Sequence, residues 1–382
     1  MIYLDYHATT PVDPEVLEAM LPYFSETFGN AASRQYRLGW VAQDAVEHAR
    51  GQVAALIGAD AKEIVWTSGA TEANNLALKG LAELARPGRD HFVTVATEHK
   101  SILDTCKRLE QRNCSVTVLR VDAGGQVDLD QLREAVTERT AAVSVMAANN
   151  EIGVLAPLAA IAALAHDKGA LLHSDAVQAA GKVPFDVQAT GVDLASLTAH
   201  KVYGPKGVGA LFVRRRNPRV TIAPQIDGGG HERGMRSGTL NVPGIVGFGA
   251  AASLAVRVMD EESARLLELR TRLLDGLRGR VADLVVNGSL DARLPGNLNV
   301  SFPGVDGEAL LVSLCEDIAI SSGAACTAAE PSHVLRALGR KTDLALASLR
   351  FGLGRWTTTA DVDRAAARVG ETVERLRAVS PV

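Results

Sequence analysis

Lys201 closes an apolar run, Val192-Asp193-Leu194-Ala195-Ser196-Leu197, and is followed by Val202-Tyr203-Gly204-Pro205-Lys206-Gly207. Upstream, a second apolar run ends in His173-Ser174-Asp175-Ala176-Val177-Gln178. A lysine amine at a strand end can form a Schiff base with an aldehyde, and an aspartate at another strand end can keep a pyridine nitrogen protonated. Those two groups are what pyridoxal phosphate requires, and its protonated ring draws electrons from the α-carbon of a bound amino acid. A lone lysine is by default a surface side chain. Here the apolar lead-in and the Gly-Pro-Lys-Gly exit point the other way.

Other residues could serve the same chemistry. Thr67-Ser68-Gly69-Ala70-Thr71-Glu72 joins a strand to a helix. Its small residues let the backbone approach an anion, and the first helical N–H groups point outward unpaired. The same residues also read as an ordinary capping box. Thr198 and His200 are two apart on an extended segment and share a face, so both can reach one phosphate. His99, in Glu98-His99-Lys100, opens a helix; it can stack on a ring and exchange protons, or simply sit at a helix start. Asn149-Asn150-Glu151-Ile152-Gly153 offers amides to a cofactor oxygen, or forms a turn. Arg350, in Ser348-Leu349-Arg350-Phe351-Gly352, is a guanidinium in an apolar strand and needs an anion. That anion is a substrate carboxylate or an internal Asp or Glu.

Cys326 lies among small residues, Ser321-Ser322-Gly323-Ala324-Ala325-Cys326-Thr327-Ala328-Ala329. Cys315, by contrast, follows Leu311-Val312-Ser313-Leu314. The Cys326 stretch reads as a mobile loop, and its thiol as a nucleophile delivered to substrate or as an incidental loop cysteine.

These residues need a scaffold. Between about residues 50 and 215, short apolar runs alternate with amphipathic segments. Strands are expected at 63–66, 91–96, 115–120, 141–146, 170–173, 194–197 and 209–213, and helices at 70–85, 99–112, 128–136 and 158–167. This alternation predicts a mostly parallel sheet covered on both faces, with ligands at the carboxyl ends of its strands. A long helix over 242–278 leads to a smaller α+β lobe built from 298–302, 308–315, 318–320, 332–338, 347–351 and 361–379. The N-terminus is expected to join one lobe or their junction.

The chain has 382 residues and net charge −4, so no global field recruits nucleic acid or an anionic membrane. The apolar stretch Val242 to Val256 is short for a membrane span and reads as a packed helix. Four cysteines (Cys106, Cys114, Cys315, Cys326) show neither disulfide density nor metal-ligand spacing. No export signal is visible, and a cytoplasmic location is expected.

In combination, several motifs resemble those of one family. They are Tyr3-Leu4-Asp5-Tyr6-His7-Ala8-Thr9-Thr10-Pro11, Phe28-Gly29-Asn30, Ser68-Gly69-Ala70-Thr71-Glu72, Thr97-Glu98-His99-Lys100, Asn149-Asn150-Glu151-Ile152-Gly153, His200-Lys201, Gly229-Gly230-His231-Glu232-Arg233-Gly234 with Met235-Arg236-Ser237-Gly238-Thr239, and the Cys326 loop. The chain resembles the pyridoxal-phosphate cysteine desulfurases, the NifS/IscS branch of the class V aminotransferase superfamily, over almost its whole length.

That resemblance implies a type I transferase fold with a large domain over 14–257 and a small one formed by 1–13 and 258–382. It implies Lys201 as Schiff-base lysine and Asp175 on the pyridine nitrogen. Gln178 and Asn150 would bond ring substituents, and His99 would stack and shuttle protons. Ala70, Thr71, Thr198 and His200 would hold the phosphate, with Thr239 reaching it from a second subunit of a homodimer. Arg350 and Asn30 would bind the carboxylate of L-cysteine. Cys326 would accept the sulfur as a persulfide, and is the one candidate for a transient iron–sulfur ligand; no resident metal is expected. A sulfur-acceptor protein, either an iron–sulfur scaffold or a sulfur carrier, is implied as partner. Selenocysteine lyase or another class V activity is the alternative. Two departures stand out: Glu330-Pro331 comes about two residues early, roughly 7 Å of extended chain, and the further C-terminal tail that helps dock the scaffold protein is lacking.

Overall fold

The computed structural model describes residues 1–322 and 330–379. The strands, in chain order, are β1 (Ile2–Tyr3), β2 (Ile64–Thr67), β3 (His91–Val95), β4 (Ser115–Leu119), β5 (Thr140–Ser144), β6 (Leu171–Asp175), β7 (Leu194–Thr198), β8 (Gly209–Val213), β9 (Val285–Val286), β10 (Asn297–Ser301), β11 (Ile318–Ala319), β12 (Ser321–Ser322) and β13 (Ser348–Gly352). Seven of them form one sheet in the order β2-β8-β7-β6-β5-β3-β4. All its pairings are parallel except those of β8, which runs against both β2 and β7. Every residue of β2, β7 and β8 is buried, as expected of strands covered on both faces.

Helices Ala70–Glu83 and Lys100–Glu110 cover one face, packing Leu76, Leu78, Ile102 and Leu109 around Phe92. The other face carries Arg37–Leu56, Leu158–Asp167 and the first half of Val242–Arg278. The sequence expectation had no helix before residue 50. Arg37–Leu56 nonetheless buries Ala42, Val46, Ala49 and Val53, which fall on one face at helical spacing. It lies close to Val242–Arg278 because Gly249 faces Ala49: a Cβ there would come within 2.7 Å of it.

The second core gathers Phe302, Phe351, Leu349 and Leu4 over a sheet of order β12-β13-β10-β9. The N-terminus joins this lobe, through β1 parallel to β11 and an isolated bridge from Asp5 to Gly352. Val242–Arg278 serves both cores. Ile245, Phe248 and Ala252 lie in the first, and Leu266, Leu269, Leu273 and Leu277 in the second. By length and composition this helix could cross a membrane, but its apolar first half is the spine of the larger core. We propose that the boundary between the lobes falls within it.

Candidate active site

Three strand ends converge. Asp175 is the last residue of β6, Thr198 the last of β7, and Lys201 ends the single 3-10 turn that follows. The carboxyl ends of parallel strands are where such sheets take ligands. Gly69, after β2, has φ 155°, and a Cβ built there would lie 4.0 Å from the Thr198 hydroxyl. That φ disfavours a side chain at Gly69, and the close approach is at Gly209 of β8, where a Cβ would lie 2.6 Å from the Gly69 Cα.

The Lys201 amine donates to the carbonyls of His7 (2.6 Å) and Ala8 (2.5 Å). Burial first, then the nearby Arg350 charge, lowers it to about 8, against the opposing pull of Asp5 and Asp175. An amine in this state is a usable nucleophile near neutrality. Asp175 is 5% exposed. Its two oxygens accept from the Asn74 amide (2.8 Å) and the Val177 N–H (3.1 Å). The same Asn74 nitrogen donates to the Ser101 hydroxyl (2.9 Å). That hydroxyl lies 2.8 Å from Nδ1 of His99. His99 caps Lys100–Glu110, its Nδ1 accepting from Ser101 N–H (3.1 Å), so the ring proton belongs on Nε2. A hydrogen-bonded chain therefore runs from His99 through Ser101 and Asn74 to Asp175.

The helix starting at Ala70 has no side-chain cap. Of the capping-box reading, only the return bond survives, from Ser68 N–H to Glu72 (2.8 Å). The first N–H groups thus remain available to an anion, with Thr198 beside them. The Thr198 hydroxyl donates to Val208 O (3.2 Å). His200 pairs through Nδ1 with Thr9 (3.1 Å), and burial with the Lys201 charge lowers it to about 4, so it is neutral at physiological pH. Gln178 is buried: its oxygen takes bonds from Lys182 Nζ (2.7 Å) and meets His7 Nδ1 (3.1 Å), while its nitrogen donates to His7 O (3.0 Å). These residues fit pyridoxal phosphate: a lysine amine lowered to about 8, a buried carboxylate with a fixed acceptor geometry and an uncapped helix start stand at neighbouring strand ends.

Arg350 projects from β13 and is 8% exposed. It donates from Nη1 to Asn150 O (2.9 Å) and from Nη2 to Asp5 (2.8 Å) and Ser321 (2.8 Å). The internal-acid alternative is thus realised, by Asp5. In the Asn149-Asn150 turn, Asn149 is the structural member, bonding Thr97 O and the N–H groups of Glu151 and Ile152. The Asn150 side chain makes no hydrogen bond among the described residues. Asn30 and Thr239 are both exposed and bond none of the residues above; the Asn30 side chain accepts from Ala32 N–H and its carbonyl from Ser33 N–H. Cys326 lies outside the described residues.

Four residues escaped the sequence reading: Asp5, Asn74, Glu98 and Lys182. Asn74 carried a signal, being a polar residue among Ala73, Leu76 and Ala77 on the buried face of its helix. Glu98 is fully buried, and desolvation first, then the Asp175 charge, raises its carboxyl well above the usual range; it accepts from Met146 N–H (2.5 Å).

The chain is similar to known proteins. A family description, aminotransferase class-V, matches residues 2–365. A protein of Anaeromyxobacter sp. (strain Fw109-5) named cysteine desulfurase IscS is 58% identical over 383 aligned positions, covering 100% of this chain and 94% of that protein. Among solved structures, a NifS-like protein superposes with a TM-score of 0.92 at 38% identity, covering 98% of this chain and 100% of that one. Another, described as SspA in complex with cysteine, gives a TM-score of 0.81 at 36% identity over 94% of this chain and 100% of that one.

Proposed function

We propose that this chain, which belongs to the aminotransferase class-V family and is a cysteine desulfurase, moves the sulfur of L-cysteine onto Cys326 and releases L-alanine. The observation that carries the reading is the Lys201–Asp175 pair at adjoining strand ends.

Pyridoxal phosphate, when bound, supplies an electron sink for the α-carbon of the substrate. Lys201 would hold its aldehyde, Asp175 its ring nitrogen, Gln178 and Asn150 its ring substituents, and the Ala70–Thr71 helix start with Thr198 and His200 its phosphate. The protein does the rest. Lys201, once released by substrate, is uncharged in enough molecules at neutral pH to remove the α-proton. His99, with Nε2–H free, moves protons at the substrate and leaving groups, while Ser101 holds its other nitrogen. Asn74 and the Val177 N–H fix the Asp175 carboxylate. Arg350 and Asn30 take the substrate carboxylate. The Cys326 thiolate attacks the substrate sulfur, a new S–S bond forms, and the carbon–sulfur bond breaks. Protonation of the carbon then yields L-alanine: one thiol and one L-cysteine become one persulfide and one L-alanine.

We further take the working unit to be a homodimer. Phe24, Phe28, Tyr36 and Trp40 are large apolar side chains exposed along one N-terminal stretch, and Thr239 is exposed and available to a second subunit. The persulfide would pass to an acceptor protein in iron–sulfur or related sulfur metabolism. Cys106, Cys114 and Cys315 are free thiols, in keeping with a reducing cytoplasm. The test is alanine and sulfide production from L-cysteine with a reductant, for the wild type and for Cys326→Ala and Lys201→Ala. Full activity in Cys326→Ala overturns the persulfide step. A strong preference for selenocysteine over cysteine would favour the lyase alternative.

A further inference from the structure

Arg350 is already occupied. Its Nη2 spends both hydrogens, on Asp5 Oδ1 (2.8 Å) and Ser321 Oγ (2.8 Å), and its Nη1 spends one on Asn150 O (2.9 Å). Its Nε is buried with no partner among the described residues. A carboxylate makes two parallel bonds to a guanidinium either across Nε and Nη2 or across Nη1 and Nη2. Both faces use Nη2. No two-point grip on a substrate carboxylate is therefore free until Asp5 or Ser321 lets go.

Asp5 is also firmly built. Its backbone carbonyl accepts from Tyr3 OH (3.2 Å) and Ala8 N–H (2.9 Å), and the Ser321 hydroxyl donates to both its carboxylate oxygens (2.9 and 3.0 Å). The Arg350 and Asp5 side chains are 10% and 18% exposed, so solvent screens their ion pair only weakly.

We propose that Asp5 is a specificity-determining residue: a built-in carboxylate that competes with substrate for Arg350 and so sets affinity for amino acids bearing an α-carboxylate. The proposal rests on the reading of Arg350 as the substrate-carboxylate site. Asp5 admits only ligands whose carboxylate outcompetes its own, and the unsatisfied Nε is the hydrogen that a side-on carboxylate would gain on displacing it.

The test uses holoenzyme and follows the visible cofactor band during titration with L-alanine, the product, and with ethylamine, the same molecule without its carboxylate. Asp5→Asn removes the competing charge and is expected to tighten L-alanine by about tenfold, the effect of roughly one carboxylate interaction, with ethylamine unchanged. Ser321→Ala, which frees one Nη2 hydrogen while keeping Asp5, should shift L-alanine the same way by a smaller factor. It also serves if Asp5→Asn does not fold. L-alanine binding that is unchanged or weaker in these variants, while Arg350→Ala loses it, overturns the proposal and makes Asp5 a brace for Arg350. If Arg350→Ala still distinguishes L-alanine from ethylamine, the carboxylate reading of Arg350 fails instead.

Discussion

The depressed Lys201 amine makes a quantitative prediction about how the protein takes up its cofactor. An amine must be unprotonated to attack an aldehyde. At the usual 10.5 only about one amine in three thousand would be free at pH 7, whereas at about 8 roughly one in eleven is, a gain of about 300-fold. The uptake rate of pyridoxal phosphate by cofactor-free protein should therefore climb about tenfold between pH 7 and pH 9, with a midpoint near 8, and then level off. Stopped-flow absorbance of the growing cofactor band measures it. The causes can be separated: burial is the larger and the Arg350 charge the second, opposed by Asp5. Arg350→Gln removes a lowering charge and leaves Asp5 unbalanced, so both changes raise the amine and the midpoint must move up. A wild-type midpoint near 10, or a midpoint that falls in Arg350→Gln, would refute the reasoning.

Glu232 accepts Arg50 Nη1 (2.7 Å), Arg50 Nη2 (2.9 Å) and Trp66 N–H (2.8 Å), with both charged side chains almost fully buried. Glu232→Ala should cost about 3–5 kcal/mol, and Arg50→Met in the same chain should recover part of it; chemical denaturation reads both. The half-buried Lys182 has its amine lowered to about 7, chiefly by desolvation. Its unfolded form keeps its proton up to about 10.5, so the wild type gains stability as pH rises from about 7 toward 10.5. Lys182→Met should lack that rise and be favoured most below pH 7, as denaturant midpoints across pH will show. Cys106, pushed up to about 12 by burial, should stay unlabelled by iodoacetamide at pH 8 while exposed Cys315 reacts, as peptide mass spectrometry resolves.

Most strands of the central sheet were legible as short buried apolar runs, the edge strand β4 being largely uncovered, and their ends carried Asp175, Thr198 and Lys201. Leu158–Asp167, Gly209–Val213 and Val242–Arg278 match the expected bounds. Arg37–Leu56 was not legible: its N-cap, Tyr36, makes no side-chain cap, and its buried stripe is mainly alanine, valine and glycine. Asp5 and Asn74 were hidden for another reason. Each acts through a partner remote in sequence, Arg350 and Asp175, and local pattern reports periodicity, not pairing. Arg350 showed the limit most plainly, since its sequence context predicted an anion without saying whose.

The helix Val242–Arg278 is one unbroken rod of about 55 Å, with its first half cemented into one core and its second into the other. Neither lobe can be cut out without leaving half a helix stripped of its contacts, so each should fail to fold as an isolated fragment. A denaturant should melt both lobes in one step, and amide exchange along the rod should show no weak seam at its middle. The enzyme inherits a shared axle, and any movement of one lobe against the other must come from bending around that axle and not from a free joint.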